Sequence, residues 1–453
     1  MNNTELDRRY NWHPFTPTDD WLDPDFKPVS IVRALGSELF DEEGRAYLDG
    51  NSSIWTITHG HLHPHIVEAI KRQLEAVEHS SFLGLTHPWS GRLAEKLAHM
   101  AGGGYRTFFS DDGSTAMEAA LKIVWQYFHQ NGQPQRKVIL SLQQGYHGDT
   151  LGAMSVGHSG NFHSVFAPLM FQTEEVAAPV CYRCPYNRAQ PQNDDARRYR
   201  KCGFECVQTI ERAIERHGDR LAAVVLEPKV QGAAGMWMHP EGYLSRVASA
   251  TQTVGAKLIL DEVFTGLGRT GKMLAAQHES VEADLIALGK GLTGGMLPMA
   301  ATLVKEEIFD GFRGGLDRTL FHGHSYTANP MGCSAALANL EVFEKERTIE
   351  RIALLGAKMR DLSQQFWKHP HVGDVRQEGL ILAIELVKDR HTREPYSRTD
   401  RIAYRISEQA REHGLLTRGL GNTLVLVPPY NTTEEQLGRM IQALIQALEE
   451  VIR

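Results

Sequence analysis

The sequence predicts an α/β fold in which helices cover both faces of a mostly parallel sheet. Short apolar runs alternate with segments of helical periodicity between residues 105 and 305. Polar and charged residues follow several of these runs, at the strand ends where such sheets bind ligands. After residue 365 the pattern changes, which indicates a second, compact domain of strands and helices.

The composition is typical of a globular enzyme without a nucleic-acid or membrane surface. The chain has 453 residues, of which 42% are hydrophobic, and a formal net charge of −7. That charge and the absence of a basic cluster argue against nucleic acid as a partner. No secretory signal or membrane-length apolar run is visible, and the cysteine usage favours a reducing compartment. We therefore expect a cytoplasmic protein.

The N-terminal region precedes the alternating pattern. Residues 1–30 are polar, and Pro14 and Pro17 disfavour a long helix, so we expect an arm that lies on another surface. A small antiparallel unit follows, with strands predicted at 29–34, 38–41 and 45–48. The next predicted elements are helices at 64–79 and 87–100.

The central and C-terminal elements follow from the same two periodicities. The central strands are predicted at 107–110, 137–142, 221–226, 257–263, 284–288 and 299–303. The C-terminal strands are predicted at 372–376, 380–387 and 424–427, and helices at 241–254, 398–413 and 432–451. One further helix begins at Gly113, with an apolar face of Met117, Leu121, Val124, Trp125 and Phe128.

Two strand ends carry groups that suit a phosphate and a flat ring. Gly113, Ser114 and Thr115 begin a helix, where free backbone amides and hydroxyls bind phosphate. An ordinary helix cap is the alternative. Tyr146 follows another strand among glycines and can stack on a planar cofactor, or it can be a buried structural tyrosine.

A carboxylate and an amine follow two neighbouring apolar runs. Asp261 ends the strand at 257–263, and Lys290 follows the run at 284–289 in a glycine-rich loop. A lysine forms a Schiff base with pyridoxal phosphate, and a carboxylate keeps the pyridine nitrogen protonated. A solvated loop lysine is the alternative for Lys290 alone. The agreement of four strand ends, at Ser114, Tyr146, Asp261 and Lys290, favours the cofactor interpretation.

The loop between these groups contains a glycine pattern that is easily misread. Gly266, Gly268 and Gly271 match a dinucleotide fingerprint, and the same stretch nearly matches a phosphate loop. Met273 stands where a phosphate loop needs Ser or Thr, which removes the magnesium ligand. We therefore reject a nucleotide-binding module.

Four cysteines interrupt the alternation between residues 176 and 206. Their spacing, Cys181-x2-Cys184 and Cys202-x3-Cys206, can hold zinc or an iron–sulfur cluster. A surface insertion with free thiols is the alternative, and the sequence does not decide between them.

These residues together resemble the class III aminotransferases, over nearly the whole chain. DEVFTGLGRTG at 261–271, followed by Lys290 and its glycine loop, resembles the class. Further segments resemble its branch that acts on 8-amino-7-oxononanoate in biotin biosynthesis: HPFT at 13–16, SDDGSTAMEAALK at 110–122, GYHGDTLGAMSV at 145–156 and FHGHSYTANPMGC at 321–333. A broad-specificity omega-aminotransferase acting on amines or omega-amino acids is the alternative.

The resemblance implies the fold, the cofactor and the assembly. It implies fold type I of the pyridoxal-phosphate-dependent transferases, with a seven-stranded, mostly parallel sheet in a large domain at 63–335. The smaller α+β domain would come from both termini, 1–62 and 336–453, and 176–206 would be an insertion. The resemblance also implies a homodimer with shared active sites.

The resemblance further implies a role for each matching residue. Lys290 would form the Schiff base and move the proton, Asp261 would pair with the ring nitrogen, and Tyr146 would stack on the ring. The other implied cofactor contacts are Gly113, Ser114, His147, Glu227, Val263 and the partner's Ser325. The implied substrate contacts are Phe15, Ile54, Trp55 and Arg418.

Three positions depart from the version of the branch that uses S-adenosylmethionine as amino donor. Ile54 replaces an expected tryptophan, and Phe15 and Val425 replace expected tyrosines. Fewer aromatic faces disfavour the bulky sulfonium donor. The sequence therefore predicts that lysine is the better amino donor.

Overall fold

The elements of the structure follow the predicted order. The structure is a computed structural model that describes residues 2–158 and 160–452. The strands are β1 (Ile31–Leu35), β2 (Glu38–Asp41), β3 (Ala46–Asp49), β4 (Tyr105–Ser110), β5 (Val138–Leu142), β6 (Glu174–Val176), β7 (Leu221–Leu226), β8 (Val230–Gln231), β9 (Trp237–Met238), β10 (Lys257–Asp261), β11 (Leu285–Leu288), β12 (Ala300–Lys305), β13 (Val372–Glu378), β14 (Ile381–Asp389), β15 (Glu394–Pro395), β16 (Leu415–Leu416), β17 (Arg418–Leu420) and β18 (Thr423–Leu426).

The helices flank these strands and close both ends of the chain. They are α1 (Asn3–Tyr10), α2 (Thr18–Leu22), α3 (Ser52–Trp55), α4 (Pro64–Ala76), α5 (Pro88–Met100), α6 (Gly113–Gln130), α7 (Leu151–Gly157), α8 (Gly160–His163), α9 (Ala196–Tyr199), α10 (Glu205–His217), α11 (Tyr243–Thr253), α12 (Glu306–Asp310), α13 (Pro330–Lys345), α14 (Thr348–Ser363), α15 (Ile402–Gln409) and α16 (Glu434–Val451). Within the described residues, no helix has both the length and the apolar character needed to cross a membrane.

A seven-stranded sheet lies at the centre, in the order β4-β12-β11-β10-β7-β5-β6. Only β12 runs antiparallel to its neighbours, so the predicted mostly parallel sheet is confirmed. The carboxyl ends of β4, β5, β7, β10 and β11 therefore meet at one edge. Ligands bind at this edge in sheets of this kind.

The sheet is buried on both faces because alternate residues point to opposite sides. All six residues of β7 are buried. Val225 and Ile259 pack with α6 on one face, while Val224 and Leu260 pack with α10 and α11 on the other. The buried face of α6 is the predicted one except for Trp125, which is 48% exposed, so that part of the prediction is wrong.

Strands from the two ends of the chain pair with one another. β16 runs parallel to β3, with Leu415 opposite Leu48, and completes the sheet β1-β2-β3-β16. A second C-terminal sheet has the order β13-β14-β18-β17, with β15 paired to β14. These pairings agree with a smaller domain built from both termini, whose boundaries at 62 and 335 stay a prediction.

Arg269 connects three distant segments. Its side chain is 1% exposed, and its two terminal nitrogens donate to the carbonyls of Pro428 (2.8 Å) and Ile57 (3.3 Å). The guanidinium lies 4.5 Å from the centroid of the Tyr430 ring, whose hydroxyl donates to the Leu267 carbonyl at 2.8 Å. One buried cation therefore holds the loop after β10 against both ends of the chain.

We expect Arg269→Ala to lower the free energy of unfolding by about 3 kcal/mol, because it leaves two buried carbonyls unpaired and a cavity behind. Urea unfolding of the variant and the parent measures the change. Arg313→Ala is the matched control: its side chain is 72% exposed and paired with Asp310, so its effect should stay below about 1 kcal/mol. Equal losses in the two variants would contradict the role of Arg269.

Candidate active site

A cavity of about 710 Å³ opens at the edge where the parallel strands end. Its lining includes nine of the residues predicted from the sequence: Trp55, Gly113, Ser114, Tyr146, His147, Glu227, Asp261, Val263 and Lys290. The strand ends that carry them lie far apart in the sequence, and the sheet alone brings them together.

Asp261 occupies the end of β10 with one oxygen held by a histidine. Its Oδ2 accepts from His147 Nδ1 at 2.7 Å, and its Oδ1 accepts from the Val263 amide at 3.0 Å. Burial opposes the charge on His147, but the hydrogen bond to Asp261 and the negative charges of Asp261 and Glu227 together outweigh it and raise the pKa of His147. The pair therefore presents an oriented carboxylate to the cavity.

Lys290 begins a tight turn after β11 and has a left-handed backbone, with φ +41°. Its Nζ lies 4.8 Å from the centroid of the Trp55 ring and 5.6 Å from that of Phe264. Burial lowers the pKa of Lys290; Asp261 and Glu227 oppose this, and Arg418 adds to it. This amine therefore loses its proton more readily than a surface lysine does.

The start of α6 presents unpaired backbone amides to the cavity. Among the described residues, the amides of Gly113 and Ser114 have no hydrogen-bond acceptor, while Asp112 caps the Thr115 amide at 2.9 Å. The Ser114 hydroxyl lies 2.8 Å from the Thr150 hydroxyl and accepts from the Thr150 amide. A helix start of this kind binds a phosphate group.

Tyr146 is held by two acidic residues. Its hydroxyl donates to Asp149 at 2.7 Å, and its amide donates to Glu227 at 3.1 Å. His163 contacts the other oxygen of Asp149 at 3.1 Å and stacks on the Tyr146 ring. Burial raises the pKa of Glu227 to about 7, although Glu227 also accepts from the Gly232 amide.

Four predicted site residues do not line this cavity. Phe15 is 64% exposed and reaches Tyr146 only through Phe162, while Ile54 is 50% exposed. Ser325 is exposed in the loop before α13. Arg418 is at the start of β17, where no hydrogen bond or ion pair engages its guanidinium within the described part of the chain.

The structure shows where the residues behind the donor prediction lie. Val425 is fully buried and packs in an apolar cluster with Trp55 and Phe264. Neither Val425 nor Ile54 lines the cavity, so the choice between lysine and S-adenosylmethionine as amino donor stays a prediction. Trp55, with its indole nitrogen donating to Asn51 at 2.9 Å, keeps an aromatic face in place.

Several lining residues escaped the sequence analysis. Phe264, Thr150 and Asp149 all lie within four residues of a predicted site residue. The run GYHGDT contains Thr150 and Asp149, so the polar residues of this run already indicated that the site extends beyond Tyr146 and His147. Met296–Met299 had no such signal, because the fold alone brings this loop to the cavity.

The glycine pattern after β10 does not form a nucleotide cradle. The amides of Gly266, Leu267 and Gly268 donate to the carbonyls of Glu262, Met273 and Lys272, and the amides of Arg269 and Gly271 donate within the same turn. These amides are therefore unable to bind a phosphate. The rejection of the nucleotide-binding motifs agrees with the structure.

The chain belongs to the class III aminotransferases. The family model described as "Aminotransferase class-III" matches residues 23–448. Enzymes of this class use pyridoxal phosphate, and the chain is a pyridoxal-phosphate-dependent aminotransferase of fold type I.

Its relatives have a narrower designation. Adenosylmethionine-8-amino-7-oxononanoate aminotransferase of Nitratidesulfovibrio vulgaris is 46% identical, over 98% of this chain and 81% of its own length. That of Geobacter sulfurreducens is 43% identical, over 99% and 97%. The crystal structure of the Methanocaldococcus jannaschii enzyme matches with a TM-score of 0.92 at 39% identity, covering 99% of this chain and 98% of its own. The omega transaminase of Pseudomonas jessenii, in complex with PMP, matches at 0.90 and 29%, covering 100% and 98%.

The cavity fits pyridoxal phosphate on structural grounds. The unpaired amides at the start of α6 suit its phosphate, and Asp261 supplies a buried carboxylate for its ring nitrogen. A Cβ atom on Gly113 would lie 2.6 Å from Val263 Cγ1, so the loop has no room for a side chain there.

We expect Gly113→Ala to weaken pyridoxal phosphate binding by about tenfold or more, because the added methyl group pushes the helix start away from Val263. Fluorescence titration of the apoenzyme with the cofactor measures the affinity. Gly438→Ala in α16, where a Cβ meets no atom within 4 Å, is the matched control and should bind the cofactor as the parent does. Unchanged affinity in Gly113→Ala would contradict the assignment.

Proposed function

We propose that the enzyme transfers an amino group to 8-amino-7-oxononanoate, giving 7,8-diaminononanoate in biotin biosynthesis. The meeting of Lys290, Asp261 and the start of α6 in one cavity carries the aminotransferase part of this proposal. The designations of the relatives from Nitratidesulfovibrio and Geobacter support the substrate. A reducing cytoplasm, where five free cysteines persist, is the expected compartment.

Each residue at the strand ends has a distinct task in this proposal. Pyridoxal phosphate, when bound, supplies the electron sink that lets an amino group leave one substrate and enter the next. Lys290 binds the cofactor and carries the proton between its Nζ and the substrate carbon. Asp261, oriented by His147, stabilises positive charge on the ring nitrogen. The amides of Gly113 and Ser114 hold the phosphate, and Tyr146 and Val263 pack against the ring.

Arg418 is the proposed anchor for the substrate carboxylate. Its guanidinium is unpaired within the described residues, and burial lowers its pKa. An arginine in this state gains two parallel hydrogen bonds when a carboxylate arrives. Trp55 supplies apolar surface for the methylene chain of the acceptor, with Ile54 next to it in sequence and Phe15 as a further apolar contact from the N-terminal arm.

S-adenosylmethionine is the amino donor that we propose. The lysine prediction depended on lost aromatic walls, whereas Trp55 and Phe264 form such walls beside Lys290. An aromatic face attracts a sulfonium cation by about 0.5–2 kcal/mol. The relatives' designations carry the same donor.

We expect 8-amino-7-oxononanoate to be converted with a kcat/KM at least tenfold above that of simple keto acids, with S-adenosylmethionine a better donor than lysine. Stopped-flow half-reactions with each donor and acceptor measure this. Lys290→Ala should abolish turnover, while Lys305→Ala, at the end of β12 and outside the cavity, should retain it. Faster reaction with lysine would restore the sequence prediction, and a preference for simple amines would favour the omega-aminotransferase alternative.

A homodimer with shared active sites follows from the same proposal. Trp12 is 92% exposed, Phe321 is 77% exposed, and Ser325 lies outside the cavity of its own chain. Large apolar side chains left exposed in an arm and a loop are typical of a surface that a second copy covers.

Sedimentation at micromolar concentration should therefore give twice 50.7 kDa. Phe321→Ser should shift this equilibrium toward monomer and lower activity in parallel, whereas Arg439→Ser, at an exposed charged position of α16, serves as the control. A stable monomer with full activity would contradict the shared site.

A further inference from the structure

We propose that Cys181, Cys184, Cys202 and Cys206 together bind one tetrahedral zinc ion. The four residues come from both ends of the segment between β6 and α10, and all four border one small void of about 10 Å³. They are free thiols, and the fifth cysteine, Cys333, is buried elsewhere, in α13. This site lies outside the catalytic cavity and goes beyond the proposed function.

Asn187 brings the two cysteine pairs together. Its amide donates to the Cys184 carbonyl at 3.1 Å, and its side-chain nitrogen donates to the Cys181 carbonyl at 2.9 Å. Its side-chain oxygen accepts from the amide of Lys201 at 3.0 Å. One asparagine thus holds the turn of the first pair against the residue that precedes Cys202.

The second pair is formed by a bend at the start of α10. Phe204, between the two cysteines, has a left-handed backbone with φ +64° and stands at the N-cap of the helix. The bend places Cys206 in the first helical turn and directs Cys202 toward the same void. A turn with one cysteine pair facing a second pair at a helix start is a frequent arrangement in structural zinc sites.

The chemistry of the site favours a single soft ion. Four sulfur ligands select zinc or an iron–sulfur cluster. The void holds about one atom, which excludes a cluster of several irons and sulfides. Arg200, whose Nη1 donates to Cys202 Sγ at 3.3 Å, offsets part of the negative charge of four thiolates.

The thiols need a small rearrangement to become ligands. In residues 2–158 and 160–452 as described, no group of three His, Cys, Asp or Glu side chains already has the spacing of a metal site. Sulfurs bound to one zinc lie about 2.3 Å from it. Rotation of the cysteine side chains toward the void would provide this, because all four cysteines already border it.

The ion would stabilise a segment with little regular structure. Between β6 and α10 the chain forms only the four-residue helix α9. Ion pairs of Arg183 with Glu385 and of Arg197 with Glu378 attach the segment to the C-terminal sheet. Arg183 lies between Cys181 and Cys184, so zinc would fix the same turn from which this arginine reaches the C-terminal sheet.

Cobalt titration of the purified, reduced full-length enzyme tests the proposal. After chelator treatment we expect about one Co²⁺ per chain, with a thiolate-to-cobalt charge-transfer band and tetrahedral d–d bands, and displacement by equimolar Zn²⁺. Cys184→Ser and Cys206→Ser should weaken binding at least tenfold, and Cys333→Ser should bind as the parent does. The parent titration decides the question even where a variant fails to fold.

Two results would overturn the proposal. One is a parent enzyme that binds no Co²⁺ while all four thiols react freely with a thiol reagent, or are found as disulfides. The other is an iron–sulfur chromophore with acid-labile sulfide in place of zinc. Elemental analysis of the enzyme as isolated separates both from the expected content of about one zinc per chain.

Discussion

The hydrogen bond between Asp261 and His147 is the interaction around which the site is arranged. It joins the end of β10 to the loop after β5 and buries a charged pair at the edge of the central sheet. A buried carboxylate needs such a partner, since desolvation alone would neutralise it. The Asp261 carboxylate shares one cavity with Lys290, Glu227 and the start of α6, so these groups can act on the same ligand.

Two adjacent acidic residues have different tasks because alternate positions of a strand face opposite ways. Asp261 faces the cavity, whereas Glu262 accepts hydrogen bonds from the Thr265 hydroxyl and from the amides of Ala275 and Ala276. Burial raises the pKa of Glu262 to about 7. Glu262 therefore fixes the glycine-rich loop, and Arg269 attaches that loop to Pro428 and Ile57. The catalytic edge and the C-terminal part of the chain are connected through this loop.

The cysteine-bearing segment, residues 176–206, is connected to the C-terminal sheet through buried charged groups. Arg376, buried between Asp374 and Glu385 on the C-terminal sheet, also donates to the carbonyls of Gly235 and Met236. Glu385 in turn pairs with Arg183 of the segment. Charged groups buried together in this way specify how β8 and β9, the segment and the C-terminal sheet fit, because any other arrangement leaves a charge unpaired.

The sequence by itself determined most strands of the central sheet and the residues at their ends, although it did not locate β6. Apolar periodicity is local, so it located β7, β10 and β11, and a strand end places the next residue at the edge wherever the fold is parallel. Asp261, Lys290, Ser114 and Tyr146 were predicted for this reason, and all four line the cavity. Only the tertiary structure decided which way Trp125, Ile54 and Val425 face, that Arg418 is unpaired, and that four cysteines border one void. These properties depend on contacts between segments far apart in the chain, and no local pattern encodes such contacts.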